Sequence, residues 1–405
     1  MTHSRRSVDV LVAGAGPGGA AVAALLAGAG LDVLAVDGAR FPREKACSEY
    51  MSPAAVAVLA RLGVLADLDA VGARPTGTSV STSRGGQLIG HFAPNGATAF
   101  RSTGLSVPRR LLDARLVGAA RAAGAEVREA TTVRDLLYER GAVAGVVVSD
   151  ADGRISTIRA RLTIGADGLR SIVARRLGPR RHAAPRRIAF VAHIAGVRGL
   201  GNHAEMHVGP EGYVGLNHIG GGVTNVALVV PRRVSGAARG DATGFFHRQL
   251  ARYPGVAGRV DQDATVRDVM VTGPFAARSS RVVADGALLL GDAAEFFDPF
   301  TGEGIHRALR GAELAAATAV TALARGGIPT RRALVPYAAA RRAEFAGHWA
   351  VERIIGWLML APALFDHAVR RIERHRLADR LIAVTGDLLP ARKVLSPDFL
   401  ARALL

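Results

Sequence analysis

Asp9–Gly30 reads DVLVAGAGPGGAAVAALLAGAG, an apolar run that passes through glycines into an alanine-rich stretch. With LDVLAVD (Leu31–Asp37) after it, the pattern predicts a strand, a helix and a second strand in one βαβ unit. Gly14, Gly16 and Gly19 form G-x-G-x-x-G directly behind the first strand. Gly14 permits the tight turn, Gly16 lets the backbone approach a diphosphate, and Gly19 lets helix and strand pack closely. The helix N-terminus adds free N–H groups and the positive end of its dipole. Asp37, closing the second strand, is placed to accept hydrogen bonds from an adenosine ribose, and its charge disfavours a 2′-phosphate there. The unit fixes an α/β class with a parallel sheet and implies a bound dinucleotide.

A second segment decides between NAD and FAD. GDAAEFFDPFTGEGIHRAL (Gly291–Leu309) follows the apolar GALLL (Gly286–Leu290). FAD is the longer molecule, and its ribityl chain and ring system need a second anchor. Asp292 can accept from ribityl hydroxyls. Pro299, Gly302 and Gly304, with Ile305 opening the helix, bring a helix N-terminus to the flavin edge, where its dipole stabilises negative charge. Glu303 is expected to act through its backbone, since an anion beside reduced flavin is unfavourable. Between these motifs lies GADGLRSIVARRLG (Gly165–Gly178), again at a strand end, with Asp167 and Gly168 starting a turn.

In that order the three motifs resemble the flavoproteins built like para-hydroxybenzoate hydroxylase, a group of flavin monooxygenases, flavin halogenases and geranylgeranyl reductases. The resemblance covers about residues 8–325. It implies an α/β fold with a Rossmann-type (GR2-like) FAD-binding domain on a parallel sheet, an interleaved antiparallel-sheet substrate domain and a C-terminal helical region. FPREKACSEYMSP (Phe41–Pro53) and PFTGEGIHRAL (Pro299–Leu309) are most similar to the geranylgeranyl reductase branch. By that similarity Arg43 and Lys45 lie near the FAD, Cys47 and Glu49 near the flavin face, and Arg109 of VPRRLLDARL approaches the cofactor. Two departures count against prenyl reduction. Ser48 stands where the branch has glycine, and GYVGLNHIGGGVTNVAL (Gly212–Leu228) lacks the branch's aromatic run. The tryptophan run of halogenases is missing too, which argues against halogenation.

Composition narrows the rest. The chain has 405 residues, 49% of them hydrophobic, enough for two or three domains. One cysteine, Cys47, rules out an intramolecular disulfide and fits a reducing cytoplasm. The net charge is +18, yet the basic clusters carry no interleaved aromatics, so no nucleic-acid partner is expected. Lys45 and Lys393 are the only lysines among 52 basic residues, which favours a specific role for Lys45. No stretch reaches the roughly 18 apolar residues of a membrane span. IIGWLMLAPALF (Ile354–Phe365) reads as a core or interfacial helix, which with the basic charge allows peripheral contact with the inner face of a membrane. His203 and His207 share i,i+4 spacing, but in a strand-like region where it does not converge, so no metal is expected.

The motif order divides the chain into interleaved parts. Residues 1–75, 105–180 and 284–328 are assigned to the FAD-binding domain. Residues 76–104 and 181–283 form an antiparallel-sheet substrate domain, and 329–405 a helical region. The expected function is a cytoplasmic FAD-dependent oxidoreductase, its flavin reduced by transiently bound NAD(P)H or a protein donor. Its substrate is a small apolar organic molecule; no oligomeric state is assigned. Hydroxylation or epoxidation of an aromatic or polyketide-like secondary metabolite is the expected reaction. The alternatives are C=C reduction in a prenyl or quinone lipid, and a non-catalytic flavin-binding subunit. Cys47, Glu49 and His306 are the candidate catalytic residues. With one dinucleotide fingerprint in the chain, the flavin carries the chemistry and the protein positions and dries the site.

Overall fold

The computed structural model describes residues 7–93 and 100–405. Part of the stretch 76–104 assigned to the substrate domain lies outside these residues. Five parallel strands build the first sheet, in the order Ala287–Leu289, Ile155–Gly165, Ser7–Ala13, Val33–Val36 and Glu126–Arg128. The strand Ile155–Gly165 is shared. Its first half pairs with Ala142–Ser149, which pairs with Thr132–Glu139, in an antiparallel meander, and its second half enters the parallel sheet. Arg140 and Gly141, both at positive φ, make the two-residue turn of that meander.

Register places the three sequence motifs together. Val36, Ala13, Gly165 and Leu289 form one row across four adjacent parallel strands. Asp37, Gly14, the Ala166–Asp167 turn and the Leu290–Asp292 turn therefore leave the sheet side by side, at its carboxyl edge. Ligands of open α/β sheets bind in that crevice. The helix Pro17–Gly28, behind the first motif, packs on Gly304–Leu323, behind the second. Small residues allow the approach: a Cβ on Gly18 would sit 3.1 Å from the Ala308 carbonyl oxygen. Alanines 312, 315, 316 and 319 bury the same side of the longer helix. Apolar residues recurring at helical spacing form one side of the core.

The second sheet has seven strands, ordered Thr265–Thr272, Arg187–Ala195, Val223–Pro231, Gly212–His218, Ala204–Gly209, Gly77–Thr82 and Gln87–His91. All pairs are antiparallel except Ala204–Gly209 with Gly77–Thr82. Side chains alternate between its faces. Phe190, Ala192, Val214, Leu216, Val226 and Leu228 pack on the helix Ala242–Leu250 through Phe245 and Phe246. The opposite face turns to the first sheet. After Thr330 the chain is helical, with helices Arg331–Leu358, Pro362–Arg374, Ala378–Thr385 and Pro397–Leu404. The stretch read from sequence as one apolar helix, 354–365, is instead the corner between the first two. The first ends at Leu358 and Pro362 opens the second, because proline lacks the N–H a helix interior requires.

Candidate cofactor and substrate chamber

A cavity of ≈ 670 Å³ separates the two sheets. From the first sheet it is lined by Gly14, Gly16, Asp37, Asp167, Gly168 and Asp292. Pro299, Gly302, Gly304 and Ile305 line it from the second motif, and Arg43, Lys45, Cys47 and Arg109 from the intervening segments. A second hollow of ≈ 640 Å³, beside Arg325, Arg332 and Pro336, holds no motif residue.

The diphosphate end is a cationic cradle. Gly16 caps the helix Pro17–Gly28 without any side-chain cap, and its first turn carries no acid. A Cβ on Gly16 would meet Arg43 Nη2 at 3.4 Å and Arg109 Nη2 at 3.8 Å, so two guanidinium groups converge on the helix N-terminus. Asp113, fully buried, holds both in place. Arg109 donates to it through Nε and Nη2, each at 2.9 Å, and Arg43 Nη1 lies 3.0 Å away. Burial works against the Arg109 charge, but the Asp113 carboxylate outweighs it and keeps the guanidinium protonated. Gly14 is at φ +94°, and a Cβ there would lie 2.6 Å from the Ala166 oxygen. On Gly19 it would lie 1.8 Å from the Gly14 oxygen, so Gly19 serves helix–strand packing and stays off the cavity wall. Asp37 accepts from Ala15 N and Ala39 N, each at 2.9 Å, which fixes its carboxylate at the cavity edge.

The far end is less charged. Asp292 faces the cavity, and burial raises its pKa against the pull of Arg109, Lys45, Arg180 and Arg307. Burial, with Arg43 and Arg109 nearby, lowers the pKa of Lys45. Asp167 is raised by burial too, opposed by bonds from the Ser171 hydroxyl and Ile172 N. Asp298 ties the second motif to the second sheet. It accepts from Tyr213 Oη at 2.7 Å and Arg187 Nη1 at 2.6 Å, and its own N–H donates to Glu352 at 3.1 Å.

The second sheet supplies the apolar wall. Thr272, Ala189, Val229 and Tyr213 form one row across it. Met270, Val191, Ala227, Gly215 and Met206 form the next, and all nine residues line the cavity. A third row turns polar, with His193, Asn225 and Asn217 in register. It clamps the segment 47–49: Asn225 Nδ2 donates to Cys47 O at 2.8 Å, and Asn217 Nδ2 to Ser48 O at 3.3 Å. His193 Nε2 lies 2.6 Å from Glu49 Oε2.

Two of the three catalytic candidates lie off the cavity wall. Glu49 is fully buried and does not line the cavity. Its carboxylate is engaged by His193, by Asn225 Nδ2 at 3.0 Å and by Arg109 N at 2.8 Å, at a backbone φ of 60° that side-chain-bearing residues rarely adopt. It is a positioning residue for the Cys47 segment. His306 is buried behind the second motif, its Nδ1 2.8 Å from Asp387 Oδ2, and is likewise off the wall. Glu303 pairs with Arg307 and lies 3.3 Å from His348 Nδ1. Where no metal was expected, Glu303, His348 and Asp387 bring ligand-type atoms within 4.8 Å of one another. Arg307 shares this cluster as a balancing cation, and the His306 imidazole lies against Asp387. His203 and His207 do not converge: His207 Nε2 lies 2.8 Å from Glu205, His203 Nε2 3.3 Å from His91. Cys47 alone of the three catalytic candidates reaches the cavity.

The residues fit FAD: an uncapped helix N-terminus with two guanidinium groups for the diphosphate, a carboxylate at the adjacent strand end, and a second glycine-bounded helix start across the crevice. Fold and site thus define an FAD-dependent oxidoreductase of the two-sheet flavoprotein class. The model of the FAD binding domain family matches residues 7–343, and the chain belongs to that family. Menaquinone reductase of Mycolicibacterium smegmatis is 33% identical over 76% of this chain and 75% of its own. Digeranylgeranylglycerophospholipid reductase 2 of Methanopyrus kandleri is 32% identical over 78% and 77%. The solved structure of the myxobacterial chondrochloren halogenase CndH superposes with a TM-score of 0.80 at 23% identity, covering 99% of this chain and 94% of that one. A geranylgeranyl bacteriochlorophyll reductase-like protein of Thermoplasma acidophilum gives 0.74 at 21%, covering 98% of each. At these identities the structures establish the fold alone.

Proposed function

We propose that the protein is a reductase that saturates C=C bonds in the isoprenoid part of a lipid or quinone, with NAD(P)H or a protein donor as the electron source. The two-row apolar wall carries this reading. It offers a long alkenyl chain nine lining positions, of which only Thr272 and Tyr213 bear polar atoms, and Tyr213 commits its hydroxyl to Asp298. Two of the relatives above 30% identity, whose names are those of reductases of menaquinone and of a digeranylgeranyl lipid, support it over the oxygenation expected from sequence.

Saturating a C=C bond adds a hydride to one carbon and a proton to the other. FAD, once bound and reduced, supplies the hydride. Arg43, Arg109 and the Gly16 helix start hold its diphosphate, Asp37 its ribose, and Asp292 with Gly302–Ile305 its flavin end. The second sheet excludes water from the alkene. Lys45 and Cys47 are two of the proton-bearing residues on the wall, and the lowered pKa of Lys45 makes its ammonium the stronger acid of its kind. Menaquinone and a geranylgeranylated lipid are offered to the reduced, FAD-loaded protein without oxygen. The expected product gains two hydrogens per bond, at least one of them from solvent when the reaction is run in D₂O. A product formed only with O₂, carrying its oxygen, overturns the reading in favour of oxygenation.

A further inference from the structure

The corner between helices Arg331–Leu358 and Pro362–Arg374 exposes Trp357 at 58%, Leu360 at 57% and Leu364 at 44%. No other eight-residue stretch of the described residues exposes three large apolar side chains. Ala361 and Ala363 are exposed between them. Exposed apolar residues that occur singly need no explanation, whereas a contiguous tip with tryptophan at its centre does. The inner side of the corner is fixed. Ile355 and Leu358 pack into the cluster that holds Ala189, Val191, Tyr213 and Val229, and Arg187 Nη2 donates to Gly356 O at 3.2 Å. The tip is therefore held rigidly, one layer of side chains outside the chamber wall.

Behind the tip the helix Pro362–Arg374 carries His367, Arg370, Arg371 and Arg374 on its outer and flanking positions. Of its two acids, Asp366 pairs with Arg370 at 2.9 Å, which leaves Arg371 and Arg374 opposed on the helix by Glu373. An apolar tip with an amphipathic tryptophan, backed by arginines, matches the headgroup–acyl boundary of a bilayer rather than another protein's core. We propose that this corner seats the protein on the surface of a membrane containing anionic lipid, with Trp357, Leu360 and Leu364 inserted and the arginine band at the headgroups.

The test uses FAD-loaded protein and vesicles of phosphatidylcholine with or without phosphatidylglycerol. Binding is expected to be stronger with phosphatidylglycerol and to fall with salt. Trp357→Ser, Leu360→Ser and Leu364→Ser combined should weaken it by about tenfold or more, while FAD content and melting stay unchanged. Vesicles with brominated acyl chains should quench the fluorescence of the native protein. In Trp357→Phe binding should persist and that quenching vanish, because Trp349, the other tryptophan, is buried. Absence of vesicle binding overturns the proposal, as does binding that the triple variant leaves intact. So does a dimer in sedimentation that the triple variant dissociates, which would assign the corner to a second copy of the chain.

Discussion

Glu352 offers a way to weigh the buried network behind the second FAD anchor. It is buried on the helix Arg331–Leu358, accepting from Asp298 N at 3.1 Å and Arg307 Nη1 at 2.8 Å. Burial above all, with Glu303 and Asp298 nearby, raises its pKa from 4.5 to about 7 against the attraction of Arg307. The folded chain thus holds this proton more tightly than the unfolded chain. The stability it contributes is complete below pH 4.5, declines as pH rises and is gone once pH passes about 7. At about 1.4 kcal/mol per pH unit the interval is worth about 3 kcal/mol. Glu352→Gln keeps the shape and the acceptor for Asp298 N, loses the acceptor for Arg307 Nη1 and cannot ionise. Urea unfolding of the two FAD-loaded proteins should show a constant offset near pH 4.5 from the lost Arg307 contact. Between there and about pH 8 the variant should gain on the native protein by up to about 3 kcal/mol. Other titrating groups cancel in the difference. Curves that stay parallel within about 0.5 kcal/mol would refute the reasoning, since Glu352 would then titrate alike in both states.

Other outcomes follow from the cradle and the clamp. Gly19→Val should yield folded but colourless protein, because even a Cβ would lie 1.8 Å from the Gly14 oxygen; flavin absorbance after desalting checks it. Arg109→Met should weaken FAD binding by about tenfold or more and flatten its salt dependence in titration calorimetry, as a charge-assisted contact is lost. Glu49→Gln should lower stability by about 1–3 kcal/mol and shift the flavin spectrum through the displaced Cys47 segment, while His306→Asn should leave that spectrum unchanged.

What sequence revealed and what it hid have separate physical causes. Gly14 was legible because a positive φ and a 2.6 Å approach to Ala166 leave room for no other residue, and such demands mark the sequence directly. Asp37, Asp167 and Asp292 were legible because each follows an apolar strand. Side-chain direction was not. Ile305 reaches the cavity and His306 does not, since one helical step turns the side chain by about 100°. Glu49 sits in the expected segment, yet its left-handed backbone aims the carboxylate at His193. The clamp itself is spread over positions 193, 217 and 225, which become neighbours only through strand register. Its one local trace is a polar residue at an inward position of each apolar strand. Asp113 was within reach, as the i+4 partner of Arg109.

The division of labour between the sheets bears on how one scaffold serves several reactions. The residues that fit FAD come from turns at the carboxyl edge of the parallel sheet, the helices behind them and the segments that carry Arg43 and Arg109. The substrate wall is two rows of side chains on the second sheet, where a change of residue alters volume and polarity without disturbing a ladder bond. The third row connects the two by fixing the segment that carries Lys45 and Cys47, as Tyr213 and Arg187 do through Asp298. A substitution in the first two rows, such as Val191→Phe or Ala227→Leu, should therefore change which alkene is accepted and leave FAD binding intact. The same change at Asn225 should release Cys47 O and disturb both. Substrate profiles and FAD titrations on these three variants would separate the wall from the clamp. Equal loss of FAD binding in all three would mean that the sheets do not act independently.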